Sequence, residues 1–175
     1  MESLKKANVE WYQMEESETA DLGLSMNPDN RLFVFRFKER TFVDQRVIRL
    51  TATNKCDLDL CHALLNSTLG MLMIESQGFG RGLGALDINT SKMKKSYCML
   101  NPDIISNDDS KRIKELFLPL LSRHPKDLPE EIMVEDRVQF DRAVLDAYGI
   151  ADLQDEISNA LMELYHIRKA VEVDR

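Results

Sequence analysis

The hydrophobic period of this chain changes after Thr53, and that change limits what it can fold into. Between Arg31 and Thr53 the pattern repeats every second residue; from Asp57 to Glu75 it repeats every three to four. In "RLFVFRF", residues 31–37, Phe33, Phe35 and Phe37 alternate with Leu32, Val34 and Arg36. Aromatic and β-branched residues dominate, which predicts a strand largely covered on both faces. The turn signal Asn27-Pro28-Asp29-Asn30 precedes it, and Lys38-Glu39-Arg40 reads as a polar break. "TFVDQRVIRLTAT", residues 41–53, reads as a second strand antiparallel to the first. Asp57 can then cap a helix in which Leu58, Cys61, Leu65, Leu69, Leu72 and Met73 recur as far as Glu75. Its apolar residues fill more than one stripe, so it is expected to be buried.

The fold class that follows is α+β: a small antiparallel sheet packed on a buried helix, followed by a C-terminal helical subdomain. Three regions are expected: a flexible acidic lead-in over 1–22 with Trp11 and Tyr12 as its large anchors, an α+β core over 23–105, and helices over 106–175. Within the core, "ALDIN" (85–89) is strand-like, and Asn89-Thr90-Ser91 can cap a short basic helix holding Lys92, Lys94 and Lys95. Further on, residues 109–122 form an amphipathic pattern with Asp109 as its cap and Pro119 near its end. Arg137–Tyr148, stopped by Gly149, and Ile157–Val171 read as an antiparallel helical pair.

No window approaches the roughly 18 consecutive apolar residues of a membrane span. Met1-Glu2-Ser3-Leu4-Lys5-Lys6 lacks the apolar stretch of a secretory signal, so a soluble, cytoplasmic protein is expected. Cys56, Cys61 and Cys98 show neither a C-x-x-C spacing nor an even count, and read as plain thiols. His62, His124 and His166 are far apart in sequence and read as surface or helix-packing histidines. Net charge is −7, yet residues 31–55 carry seven basic against two acidic residues, and residues 81–95 four against one. Acid gathers before residue 22 and after 126, so the molecule can present a basic face despite its acidic total.

Gly78, Gly80, Gly82 and Gly84 fall at every second position after the buried helix. Gly80, Gly82 and Ala85 match G-x-G-x-x-A, but a dinucleotide loop lies between a strand and a following helix. Here a helix pattern precedes and a strand pattern follows, and no Gly-Lys-Ser/Thr completes a P-loop. Two uses remain. The glycines can bring backbone amides and Arg81 to nucleic acid, or they can simply let the chain reverse. Pro102-Asp103 followed by Asp109-Ser110-Lys111 superficially suggests a metal-dependent nuclease, but the gap is too short for two strands and Lys111 sits in a helical pattern.

Taken together, "CHALLNSTLGMLMIESQGFGRGLGALDIN" and "RVQFDRAVLDAYGI" resemble the C-terminal, target-recognition region of N6-adenine DNA methyltransferases of restriction–modification systems. That region reads as a helix holding an Asn-Ser pair, then Gly-Arg, then Gly-x-Leu-Asp. The corresponding residues are Asn66-Ser67, Gly80-Arg81 and Gly84-Ala85-Leu86-Asp87, and the resemblance spans roughly residues 30–170. The family's Asn/Asp-Pro-Pro-Tyr/Phe motif and its S-adenosylmethionine glycine motif are missing: Asn27-Pro28-Asp29 and Asn101-Pro102-Asp103 contain no Pro-Pro pair.

The resemblance thus implies a DNA-reading piece of a restriction–modification enzyme. Its partners would be double-stranded DNA and a methyltransferase catalytic domain, in cis or as a separate subunit, which would bind the S-adenosylmethionine. No cofactor and no catalytic residue is expected in this chain. Lys92, Lys94 and Lys95 would contact phosphates, and Arg81, Arg40, Gln45 and Arg46 would reach base edges. The competing expectation is an interaction module that packs on the catalytic domain without reading DNA. A weaker third is a nuclease using Asp103, Asp109 and Lys111.

Overall fold

A computed structural model describes residues 19–53, 56–81 and 84–170. Three strands form the main sheet: β1 (Thr19–Ser25), β2 (Val34–Phe42) and β3 (Val47–Leu50), in the order β2-β1-β3. Helices α1 (Leu58–Leu65) and α2 (Thr68–Glu75) follow, then a small antiparallel hairpin of β4 (Phe79–Arg81) and β5 (Ala85–Asp87). The rest is helical: α3 (Thr90–Ser96), α4 (Asn107–Ser122), α5 (Leu128–Glu131), α6 (Glu135–Ala147) and α7 (Gln154–Ala170), with 3₁₀ turns at Pro102–Ile104 and Ala151–Leu153. The architecture is α+β with C-terminal helices, as expected.

The sheet differs from expectation at its centre. β2 and β3 do not pair with each other; each is antiparallel to β1, which lies between them. β1 begins at Thr19, inside the stretch expected to be a loose lead-in; residues 1–18 of that stretch lie outside the described residues. Its sequence "TADLGLS" carries Ala20, Asp21 and Gly23, residues depleted in strands, so the strand signal is weak. Ala20, Leu22 and Leu24 nonetheless point into the core. Gly23 leaves room for Phe35: a Cβ there would sit 2.5 Å from the ring that β2 lays across it, and the ring would have to move. Lys38-Glu39-Arg40 does not break the strand. β2 runs through it and slips register, since Ala20 faces Thr41 while Leu22 faces Arg36.

The helix expected over Asp57–Glu75 is two helices. Asp57 caps the first as foreseen, accepting from the Leu60 amide at 3.0 Å. The chain then breaks at Asn66 and Ser67, residue types whose side chains compete with helical backbone bonds. Ser67 takes an extended ψ of 157° and caps α2 through the Gly70 amide at 3.0 Å. The elbow is tight enough that a Cβ on Gly70 would lie 2.2 Å from the Leu64 carbonyl oxygen. Asn66 uses the freed side chain to pair with a strand. Its Oδ1 accepts from the Val34 amide at 2.9 Å, and its Nδ2 donates to the carbonyls of Val34 and His62, each at 2.9 Å.

This elbow separates two apolar clusters. On one side Leu22, Leu24, Val34 and Ile48 of the sheet meet Met71 and Ile74 of α2, Leu86, and Leu161 and Tyr165 of α7. On the other, Leu60, Ala63 and Leu64 of α1 meet Ile113, Phe117 and Leu120 of α4 and Phe140, Ala143 and Val144 of α6. Both clusters draw residues from either side of the expected boundary at 105/106. The last two helices are not chiefly each other's partners: α6 packs on α4, and α7 packs on α2. Ser106, not Asp109, caps α4; it accepts from the Asp109 amide at 3.1 Å, and its hydroxyl donates to Asp109 Oδ2 at 2.7 Å.

A buried ionic chain locks the elbow to the helices. Arg137 donates to the Asn66 carbonyl and, through Nη2, to Glu131 Oε1 at 3.0 Å. Arg123 grips the same carboxylate with two bonds of 2.8 Å and holds Asp136 through Nε at 2.8 Å. Asp141 of α6 takes the Thr68 amide at the start of α2, 2.7 Å away.

Two outcomes follow from this geometry. Asn66→Ala removes the side-chain partner of the buried Val34 amide and one of the two side-chain partners of the Val34 carbonyl, and is expected to cost about 3 kcal/mol in urea unfolding; a loss below about 1 kcal/mol would show that the elbow does not depend on that side chain. The second concerns acid. Burial would raise the Glu131 carboxyl, but hydrogen bonds from Arg123 and the Lys126 amide and the charge of Arg137 bring it down to about 2. A carboxylate with a lowered folded pKa stabilises the fold above its unfolded value and loses that contribution as pH falls through the folded one. Asp136 is lowered too, mainly by its Arg123 bond, whereas burial raises Asp141 and gives it the opposite sign. Stability should therefore decline between the ordinary Glu value of 4.5 and about pH 2, and Glu131→Gln should flatten that decline in unfolding titrations.

Candidate nucleic-acid interface

The β4–β5 hairpin reaches the main sheet through backbone bonds. The Leu86 amide donates to the Pro28 carbonyl at 3.1 Å, and the Ile88 amide to the Met26 carbonyl at 2.9 Å. On the other side of Met26, its amide donates to the Arg46 carbonyl at 3.0 Å. One residue just past β1 thus holds together the turn before β3 and the lead into α3, segments some forty positions apart.

The glycines shape this hairpin. A Cβ on Gly78 would stand 2.5 Å from Leu86 Cδ1, so no side chain fits where the chain leaves α2. Gly84 has φ 72°, the left-handed region that lets the hairpin return. Gly80 faces the backbone of Arg168 at an ordinary 3.8 Å. Gly82 lies outside the described residues.

The residues expected to meet DNA separate into groups. Asn89 caps α3 through the Lys92 amide at 3.0 Å, as its sequence suggested. Lys94 and Lys95 lie in the last turn of α3 and are exposed, while Met93 between them and the cap is buried. Lys92 is exposed but engaged: its Nζ donates to the Gln77 carbonyl at 3.0 Å, and Ser96 Oγ donates to Gln77 Oε1 at 2.8 Å. Gln45 and Arg46 are exposed in a turn that Asp44 fixes by accepting the Arg46 amide at 2.8 Å. Arg40 is exposed in the irregular part of β2, near the Thr19 end of β1 and so at the opposite end from Met26. Arg81 closes β4 opposite Ala85; its side chain lies outside the described residues. The fold therefore brings Gln45–Arg46 and α3 to one end of the sheet and leaves Arg40 at the other.

The nuclease-like residues do not converge. Asp103 sits in a 3₁₀ turn, Asp109 serves the cap of α4, and Lys111 lies 4.0 Å from Glu115 on the helix surface. No group of three or more His, Cys, Asp or Glu among the described residues is placed to hold a metal ion.

One groove was not legible in the sequence. It has a volume of about 220 Å³ between β2 and α4, and its lining includes Phe33, His62, Asn66, Phe117, Arg123 and Arg137. Its polar members are occupied with one another. His62 Nε2 is 2.8 Å from the Val34 carbonyl, and burial lowers the ring's pKa despite that bond. His62 is a core histidine packed edge-on to Phe117, and the only hint of this was its place on the apolar run of α1.

No family model, no curated protein and no solved structure matches this chain. No helix among the described residues is long and apolar enough to cross a membrane. Lys92→Ala removes a tie between α3 and the segment just after α2. It should lower stability by under about 1 kcal/mol in thermal unfolding, the scale of an exposed hydrogen bond; a larger drop would mean that Gln77 anchors more than the helix.

Proposed function

We propose that this chain is a DNA target-recognition module of a cytoplasmic, adenine-specific methyltransferase or restriction–modification enzyme, with the S-adenosylmethionine-binding catalytic domain supplied outside it. The observation that carries the reading is the pairing of two exposed basic segments through Met26. Lys94 and Lys95 on one side offer point charges for phosphates; on the other, Arg46 offers a bidentate donor and Gln45 a paired donor and acceptor, both suited to base edges. The likeness of 61–89 and 137–150 to the family's recognition region agrees with that division of labour. Arg81, next to Gly80 in the hairpin, is assigned to base contact from the resemblance alone, and Arg40 becomes a peripheral contact.

Duplex DNA titrated by fluorescence anisotropy at rising salt tests the reading. Each phosphate contact removed should reduce the log–log salt slope by about 0.9, so Lys94→Ala with Lys95→Ala should reduce it by about 2. Lys92→Ala should change the slope less, because its ammonium already serves Gln77. Absence of binding at low salt would overturn the proposal. That result would favour the second reading, an interaction module, which rests on the exposed Leu118 (61%) and Leu121 (54%) of α4, Leu121 sharing a groove with Phe33.

A further inference from the structure

Cys56 and Cys61 occupy the two positions that bracket the start of α1. Asp57 is the N-cap, so Cys56 is the residue before the cap and Cys61 the fourth residue of the helix. In many helices these two positions hold a pair of apolar side chains that pack across the cap and fix the angle at which the chain enters. Here the pair is two thiols, and their Sγ atoms are 2.8 Å apart. A disulfide needs about 2.05 Å, so the sulfurs already stand closer to bonding than ordinary packing requires. Cys61 is buried and Cys56 is half-buried, and both line an open cavity of about 450 Å³ with Asp57, Met99 and Asp103. Small reagents can therefore reach the pair from one side.

We propose that Cys56 and Cys61 form a redox-convertible staple, a site of reversible disulfide formation that ties the chain covalently across the N-cap of α1. The oxidant is a small-molecule disulfide such as glutathione disulfide. Cys56, the more accessible thiol, loses its proton to water, and its sulfur attacks one glutathione sulfur. The S–S bond of the reagent breaks and one glutathione thiolate leaves. Cys61 then loses its proton, attacks Cys56 Sγ and displaces the second glutathione thiolate. The balance is two protein thiols and one glutathione disulfide giving one protein disulfide and two glutathione thiols. Burial pushes the Cys61 thiol above its ordinary range, with Cys56 and the nearby Asp57 and Asp103 adding to the shift. This agrees with Cys61 acting as the resolving and not the attacking thiol.

The consequence is local to the start of α1. The Cys56–Cys61 ring encloses the Asp57 cap, which also holds Lys114 of α4 at 2.8 Å. Oxidation would fix the entrance of the helix whose other end is Asn66, and should raise Tm by about 5 °C on the chain-entropy scale for so short a loop.

The test uses the full chain, incubated with glutathione disulfide, alkylated, digested and mapped by mass spectrometry. The expected result is a peptide linked through Cys56 and Cys61, with both sites lost from the alkylated pool together. Cys61→Ser should stop the sequence at a persistent glutathione adduct on Cys56, whereas Cys56→Ser should leave Cys61 unmodified. A persistent adduct on Cys56 in the unmutated chain, or both thiols remaining alkylatable, would overturn the proposal. The thermal melt, run with and without reductant on the same sample, adds an independent readout: a Tm that falls on oxidation would also count against the staple.

Discussion

The side chain of Asn66 is the point on which the rest of the structure turns. The run from Leu58 to Glu75 is divided between two apolar clusters, and it reaches them as two helices in place of one. Breaking it at Asn66 and Ser67 lets α1 pack on α4 and α6 while α2 packs on the sheet and α7. At the break the side-chain amide of Asn66 donates to the His62 carbonyl of α1 and also pairs with both backbone groups of Val34 at the start of β2. Asparagine is suited to the place because it carries a donor and an acceptor in the geometry of a peptide. The bend is therefore also the joint between sheet and helices.

That joint is reinforced by charges that contribute differently. The Arg137–Glu131 pair is almost wholly buried, so desolvation offsets much of its attraction and the pair supplies orientation more than net stability. Removing one member is a different matter, since it leaves the other charge buried and unmatched. Glu131 receives bonds from Arg123, Arg137 and the Lys126 amide, and so satisfies its lone pairs with groups from three places along the chain. A carboxylate coordinated in this way fixes where α5 and α6 sit relative to the end of α4. Those helices then meet the elbow at a set position through the Arg137 bond to the Asn66 carbonyl.

The fold class was legible from the change of period, since Phe33 to Phe37 and the run from Leu58 to Met73 differ plainly in repeat. The caps at Asp57 and Asn89 were legible too, because cap chemistry is local. What escaped depends on partners distant in sequence. β1 carries Asp21, Gly23 and Ser25 at alternate positions and becomes a central strand only because Phe35 covers Gly23 and two edges pair with it. The split at Asn66-Ser67 is invisible without Val34, and Lys92 looks like its neighbours until the Gln77 carbonyl is found beside it. Of the candidate surface, composition revealed the charges of 31–55 and 81–95, but only the Met26 bonds show which of them share an end of the sheet.

The glycine run is best understood from the helix beneath it. Arg168, near the end of α7, donates through Nη1 to the carbonyls of Asp29 and Gly84, and through Nε to Glu75 at 2.7 Å. One guanidinium thereby holds the turn after β1, the hairpin and the end of α2. Its remaining nitrogen, Nη2, and Glu75 Oε2 have no hydrogen-bond partner among the described residues. A lysine could neutralise Glu75 but would lack the planar fork that reaches two carbonyls and a carboxylate at once. Gly78 and Gly84 allow the hairpin to fold back, and Arg168 decides where it comes to rest. The basic end of the sheet is thus placed by a buried residue of the last helix, some ninety positions away in sequence from the glycines.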